Sequence, residues 1–309
     1  MRYVGSRIAQ AIVVVLVIAV AVFFALRLTA GDPARIRAQI FTQESVLEAY
    51  RQQFGTDRPM IEQFASFMGG LLTGNLGTSF RYEIPVMSII LPALGNTLVL
   101  GGLTLLCTFV LATVLGTLSA RRPRGFIARF SSVLAVIGQS APLFWVSLLL
   151  IALFSLQLRW LPPGGLDGPQ SLVLPVIALV FAVLPSEMRV LISSVRTELG
   201  QDYVRTAEAF GLPQRKISFV YIYRNAVLPL MTVIGNDMGV LFGGVIVAEM
   251  VFNYPGIGSV ALTAMNARDY PLIQGITIVA AATFVTINLI VDLLYTVVNP
   301  RVRLAKAAG

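Results

Sequence analysis

The chain has 309 residues, 56% of them hydrophobic and only 12% charged, with a mean hydropathy of +0.81 and a formal net charge of +8. No single soluble core hides that much apolar surface, so the composition excludes a water-soluble globular protein and predicts a polytopic all-α membrane protein. The basic residues lie between apolar runs rather than in one stripe with interleaved aromatics, which argues against a nucleic-acid partner and for membrane orientation.

A helix needs roughly 20 apolar residues to cross a hydrocarbon core of about 30 Å. Six runs meet that need: residues 8–25, 97–118, 130–154, 172–190, 226–251 and 276–298. The first follows two arginines, as a signal peptide does. Its length, and its exit through Leu26, Arg27 and Leu28 without a small-residue cleavage site, predict a retained helix over residues 1–28.

Residues 29–95 are longer than a membrane connection requires. Within them, residues 45–54 and 59–72 read as amphipathic helices separated by Gly55, Thr56 and Asp57. In the second span, Cys107 is the only cysteine, so it forms no intrachain disulfide and is expected simply to pack. In the third, Gln139 and Ser140 precede Pro142, where a kink would turn polar groups toward a cavity. Near one end of the fourth, Glu187 is expected to be satisfied by Arg189 and the headgroup region.

Residues 200–229 form a polar, charged helix-turn-helix between two strongly apolar spans. Asp202 is a good N-cap, residues 203–210 make two turns, and Gly211 supplies the left-handed residue that ends them before Leu212 and Pro213 restart the chain. Tyr203, Ala207 and Phe210 fall on one face, and Arg205 and Glu208 are expected to pair on another. Thr206 and Ala209 complete a compact knob. The alternative is an ordinary loop helix packing back on its own bundle.

The fifth span carries Asn236 and Asp237 among Gly235, Gly239, Gly243 and Gly244, which permit close helix approach. Intramembrane charge is costly and rare, so Asp237 either lines a pathway or subunit interface or makes a buried structural hydrogen bond. Glu249 lies further along the same span, and Asp292 is expected to anchor the sixth. Pro255, Gly256 and Gly258 are expected to break the fifth helix, residues 259–265 to lie back against the bundle, and Asp269 to cap or pair with Arg268. These residues serve either as a gate or as an ordinary helix-turn-helix connection.

Orientation follows from the short loops. Arg2, Arg7, Arg121, Arg122, Arg124, Arg129, Arg196, Arg205, Arg215, Lys216, Arg224, Arg301, Arg303 and Lys306 lie on one side, against Arg159 and Arg268 on the other. Both termini and residues 200–229 are therefore expected in the cytoplasm. The chain has no His, which excludes His-dependent triads and His-ligated metal sites. Its only lysines, Lys216 and Lys306, follow Arg215 and Ala305, so no Gly-Lys-Ser/Thr phosphate loop exists and any ATPase must be a separate polypeptide.

Two stretches carry a family resemblance. Arg205, Thr206 and Ala207, then Gly211, then Val227, Leu228 and Pro229 resemble the "EAA" loop of ABC-importer permeases, in the Arg-Thr-Ala form of the dipeptide and oligopeptide branch. Residues 243–275 are similar to the peptide-permease pattern at Glu249, Val251, Phe252, Pro255, Gly256, Ile257, Gly258, Arg268, Asp269, Tyr270 and Pro271. Residues 74–86 and the Gly31-Asp32-Pro33 run resemble further signatures of that branch.

The resemblance implies a type I ABC importer permease fold with six transmembrane helices, a transmembrane domain over residues 96–298, a coupling loop over 191–228 and a cytoplasmic tail from 299 to 309. It implies a non-catalytic subunit in a prokaryotic cytoplasmic membrane, with no cofactor of its own. Implied partners are a second homologous permease, one or two ATPase subunits that hold ATP and Mg, an extracytoplasmic solute-binding protein that meets residues 29–95, and membrane lipid. Asp202 to Leu212 would couple to the ATPases. Gln139, Ser140, Asn236, Asp237, Glu249, Pro255, Gly256, Gly258, Arg268 and Asp269 would line or gate the path. The rivals are a self-sufficient channel or secondary transporter, whose frequent internal inverted repeats are not apparent here, and a membrane-embedded enzyme, which lacks a catalytic constellation.

Overall fold

The computed structural model describes residues 2–28, 34, 35 and 43–298, except the side chains of residues 2–4, 236–242 and 292–298. Gly31, Asp32, Pro33, the side chains of Asn236, Asp237 and Asp292, and the tail from residue 299 therefore lie outside the described residues. The ordered elements are helices: α1 (Arg2–Leu28), α2 (Glu44–Phe54), α3 (Met60–Leu72), α4 (Val86–Arg121), α5 (Phe126–Ser140), α6 (Leu143–Leu150), α7 (Val173–Leu199), α8 (Asp202–Ala209), α9 (Gln214–Lys216), α10 (Arg224–Val251), α11 (Ile257–Ala267) and α12 (Tyr270–Val298). Among the described residues, five stretches are long and apolar enough to cross a membrane, and the pair α5 with α6 and its extension supplies a sixth when counted as one span.

That pair corrects the expectation of one merely kinked helix over residues 130–154. Its halves, Phe126–Ser140 and Leu143–Gln157, are bent by 111°. The cause is local: Pro142 lacks an N–H and disfavours helical geometry at the residue before it, and Ala141 is extended at φ −87°, ψ 125°. The second half ends in a π-helical stretch, Ile151–Gln157. The fifth span also starts earlier than residue 226, since α9 runs through a π-helical stretch, Ile217–Tyr223, directly into α10. At its far end it stops at Val251, four residues before Pro255, because Asn253 turns left-handed at φ +48°.

The described chain divides into two compact units. The first comprises Met1–Thr97 and Pro255–Thr286. Its core joins Val86, Ile90 and Ala93 of α4 to Ile257 and Ala264 of α11 and to Leu272, Ile273 and Ile276 of α12. The helices approach closely here: a Cβ on Gly275 would stand 2.5 Å from Val86 Cγ1. Toward the end of α1, the rings of Phe23 and Phe24 pack on Phe64, and Phe23 also stacks on Phe67, so that α3 docks on α1 through aromatic contacts. Phe54 of α2 stacks on Phe80 at 4.0 Å.

The second unit comprises Leu98–Tyr254 and Ile287–Gly309. Helix α7 is its centre, with Leu174, Ala178, Leu179 and Val183 packed on Val245, Ala248, Phe252 and Tyr254. Further along, Leu191 and Val195 meet Ala120, Val204, Ala207, Ile217 and Ile222. Where α5 crosses α7, Gly138 admits the neighbouring backbone: a Cβ there would lie 2.6 Å from the Phe181 carbonyl oxygen and 2.7 Å from Pro185 Cγ. Cys107 is half-buried and packs against the Ala112, Val180, Leu184 and Met188 cluster, as expected. Glu187 belongs to this interior too. It is fully buried, which corrects its assignment to the headgroup region.

Candidate functional site

Helix α8 is anchored on one side and bare on the other. Val204 and Ala207, three residues apart and therefore on one face, are buried in the α7 cluster with Leu212 against them. Tyr203 is 37% and Phe210 80% exposed, so the expected Tyr203, Ala207 and Phe210 face is not the buried one. The reason is the short helix: Val204 replaces Tyr203 beneath the knob, and Phe210 has already left the helical turns as its C-cap.

The start of the helix also shifts by one residue. Gln201 is the N-cap and Asp202 the first helical residue, where its carboxylate still favours the positive end of the helix dipole. Arg205 pairs with Asp202 at 3.8 Å rather than with Glu208, and Glu208 accepts from Gln214 Nε2 at 3.4 Å. Thr206 Oγ1 donates back to the Asp202 carbonyl at 2.9 Å. Asp202, Arg205, Thr206, Glu208 and Ala209 are all exposed beside Phe210.

Termination runs as expected. Gly211 has φ +68°, its N–H donates to the Glu208 carbonyl at 2.9 Å, and the Leu212 N–H reaches the Ala207 carbonyl at 3.2 Å. This pair of bonds is the Schellman motif, with Leu212 supplying its apolar contact. Pro213 then caps α9.

A polar latch that the periodicity did not reveal ties α8 to both neighbours. Tyr203 Oη donates to Glu198 at the end of α7 and accepts from Asn225 Nδ2 at 3.2 Å at the start of α10. Burial, and then the bond to Glu198, raise the Tyr203 phenol above its ordinary pKa. Three partners spread over 28 residues give little local signal.

A second cluster surrounds the break after α10, and its parts lie in the first unit. Asn96 Nδ2 donates to the Pro255 carbonyl at 2.8 Å, and Thr97 Oγ1 accepts from the Ile257 N–H at 2.8 Å, capping α11, whose N-cap residue is Gly256. Gly258 is buried in the first turn. Arg268 ends α11 in the left-handed region at φ +49°. Asp269 is fully buried: its carboxylate accepts from Ser79 Oγ, from the N–H groups of Phe80 and Arg81 at 3.0 and 3.1 Å, and from the Leu272 N–H at 3.3 Å. Asp269 thus caps α12, which starts at Tyr270 rather than near residue 276, and also holds a loop almost 200 residues away.

The remaining candidates are dispersed. Glu249 is fully buried in α10 near Ala248. Gln139 and Ser140 are exposed at the 111° bend, where Ser140 Oγ donates to the Val136 carbonyl at 2.8 Å. The hollow beside them is mostly apolar, lined by Val136, Ile137, Pro142, Phe144 and Trp145.

Comparison with known proteins agrees with this architecture. Residues 112–304 match the family described as binding-protein-dependent transport system inner membrane component, and residues 1–101 match the N-terminal component of such membrane proteins. A Brucella suis biovar 1 protein named as a peptide permease is 36% identical over 316 residues, covering 98% of this chain and 99% of the relative. A Sinorhizobium fredii protein named as a peptide ABC transporter permease is 34% identical, covering 97% and 99%. The glutathione transport system permease protein GsiC of Pectobacterium atrosepticum is 36% identical, covering 98% and 99%. With matches across both halves and over nearly its whole length, the chain belongs to the binding-protein-dependent inner-membrane permeases, the membrane-spanning components of type I ABC importers.

Proposed function

We propose that this chain supplies half of the translocation pathway of an ATP-driven importer for di- or oligopeptides or a related solute such as glutathione. Its partner would be a second permease, the energy would come from one or two separate ATPase subunits, and an extracytoplasmic binding protein would deliver the solute. Both termini and α8 then face the cytoplasm. Support for the solute class comes from the relatives named for peptides and for glutathione.

The observation that carries the coupling role is the two-sided build of α8. Val204 and Ala207 fix the helix to the body, while Phe210 stands 80% exposed at its tip beside a row of polar side chains. A large apolar side chain in that setting would serve as a binding anchor, because burying it against a partner recovers about 1.5–3 kcal/mol. The Tyr203 latch and the Schellman turn hold the anchor at a fixed angle to α7 and α10. Nucleotide bound by the ATPases would bias a two-state equilibrium, and α8 would transmit that bias as a rigid lever. No chemical step is assigned to this chain.

Site-specific crosslinking tests the assignment. A cysteine placed at Phe210 in a Cys107→Ser background should crosslink to a P-loop ATPase in native membranes. Crosslinking only to lipid, or only to a second copy of this chain, contradicts it.

A further inference from the structure

The first unit contains a cavity of about 630 Å3 between the end of α1, helices α2 and α3, the loop over residues 74–83 and the start of α12. Its volume falls in the range of small-molecule sites, about 300–1,000 Å3.

Two donors converge on it without an acidic partner among the described residues. Arg27 is held by Gln63 Oε1 at 2.9 Å and the Phe23 carbonyl at 3.3 Å, with its guanidinium 3.5 Å over the Phe23 ring; no carboxylate among the described residues pairs with it. Gln274, on the first turns of α12, is 5% exposed, and its Nε2 has no hydrogen-bond partner among the described residues. Both side chains line the cavity. A buried amide donor left unpaired costs as much as a lost hydrogen bond; the buried hydroxyls of Thr117, Ser155 and Ser171 also lack a partner among the described residues, but Gln274 is set apart by lining this cavity, where a bound acceptor can reach it.

The walls constrain that acceptor further. Phe54, Phe67, Phe80 and Tyr270 give the cavity apolar and aromatic sides, while Glu62 and Glu83 stand at exposed positions on its lining. A cation with a planar fork and an amide N–H suit a carboxylate, the aromatic walls suit an apolar side chain, and the outer carboxylates suit an ammonium group.

We propose that this cavity is an accessory solute site that takes a short peptide by its terminal carboxylate, held by Arg27 and Gln274, with its amino end toward Glu62 and Glu83. The ligand class extends the importer reading, but the site is separate from α8 and needs no ATPase to be observed.

The test is calorimetric titration of the full chain, purified in mild detergent with any subunits that stay bound, using alanyl-phenylalanine and its C-terminal amide as probes. The free acid should bind in a millimolar or tighter range, and the amide about tenfold or more weakly. Gln274→Leu should weaken binding of the acid about tenfold without lowering the melting temperature, because the amide has no protein partner to lose. Arg27→Gln should abolish discrimination between acid and amide. Equal binding of the two probes, no binding of either, or unchanged affinity in Gln274→Leu overturns the site. Any of these with ATPase co-purification intact leaves the importer reading standing.

Discussion

Asp269 holds Ser79 across 190 residues of sequence, and the two side chains meet in the fully buried interior of the first unit. The same carboxylate takes the N–H groups of Phe80, Arg81 and Leu272, so one residue fixes a loop, caps α12 and follows the left-handed Arg268 that ends α11. Burying a carboxyl group is tolerable only when its oxygens find this many donors.

Asp269→Asn should therefore destabilise the chain by about 2–3 kcal/mol, since the amide brings an N–H2 group among donors that need an acceptor. Ser79→Ala should cost about 1 kcal/mol. Thermal unfolding of the purified protein measures both, and the double variant should lose less than the sum because the two sites share a bond.

Gly211→Val should leave the chain in the membrane and weaken its association with ATPase. Valine at φ +68° opposes a backbone state that costs a β-branched residue about 1–2 kcal/mol, so the Schellman turn should open and the angle of α8 relax. Quantitative co-purification reads the effect, with Gly211→Asn expected to fall between valine and the native glycine.

Phe210→Ala and Val204→Asp separate contact from anchorage. The first removes an exposed ring, so the melting temperature should hold while ATPase retention falls. The second puts a charge into the cluster around Leu191 and Val195 and should lower stability by about 3 kcal/mol or more. Melting curves and co-purification on the same samples distinguish them.

Gly138→Leu should be poorly tolerated. The first added carbon already overlaps the Phe181 carbonyl and Pro185 at under 3 Å, so α5 must move off α7. Low yield of folded protein is the expected outcome, and Gly138→Ala should be the milder of the two.

Much of this was legible because its signals are local or compositional. Six apolar runs follow from the cost of exposing backbone and charge to lipid, and the left-handed end of α8 follows from a lone glycine after two helical turns. The misses are where several geometries satisfy one pattern. Pro142 predicts a break, but its 111° angle depends on how both halves pack on α7. Helical periodicity grouped Tyr203 with Ala207 and Phe210 on one face, while the short helix buries Val204 with Ala207 and leaves Tyr203 to bond Glu198 and Asn225. Asp269 was legible as either a cap or a partner of Arg268, whereas its bond to Ser79 is a tertiary contact with no period or spacing to announce it. Arg27 likewise read only as part of the exit from the first span, and Gln274 fell just before the sixth, until the cavity placed both on its lining.

The most direct measurement is affinity purification of the native chain from its own membrane in mild detergent, with mass spectrometry of everything retained. A second permease and P-loop ATPases should be recovered, with the ATPases depleted in Phe210→Ala. Recovery of this chain alone, as a stable homo-oligomer that moves solute without ATP, would contradict the importer reading.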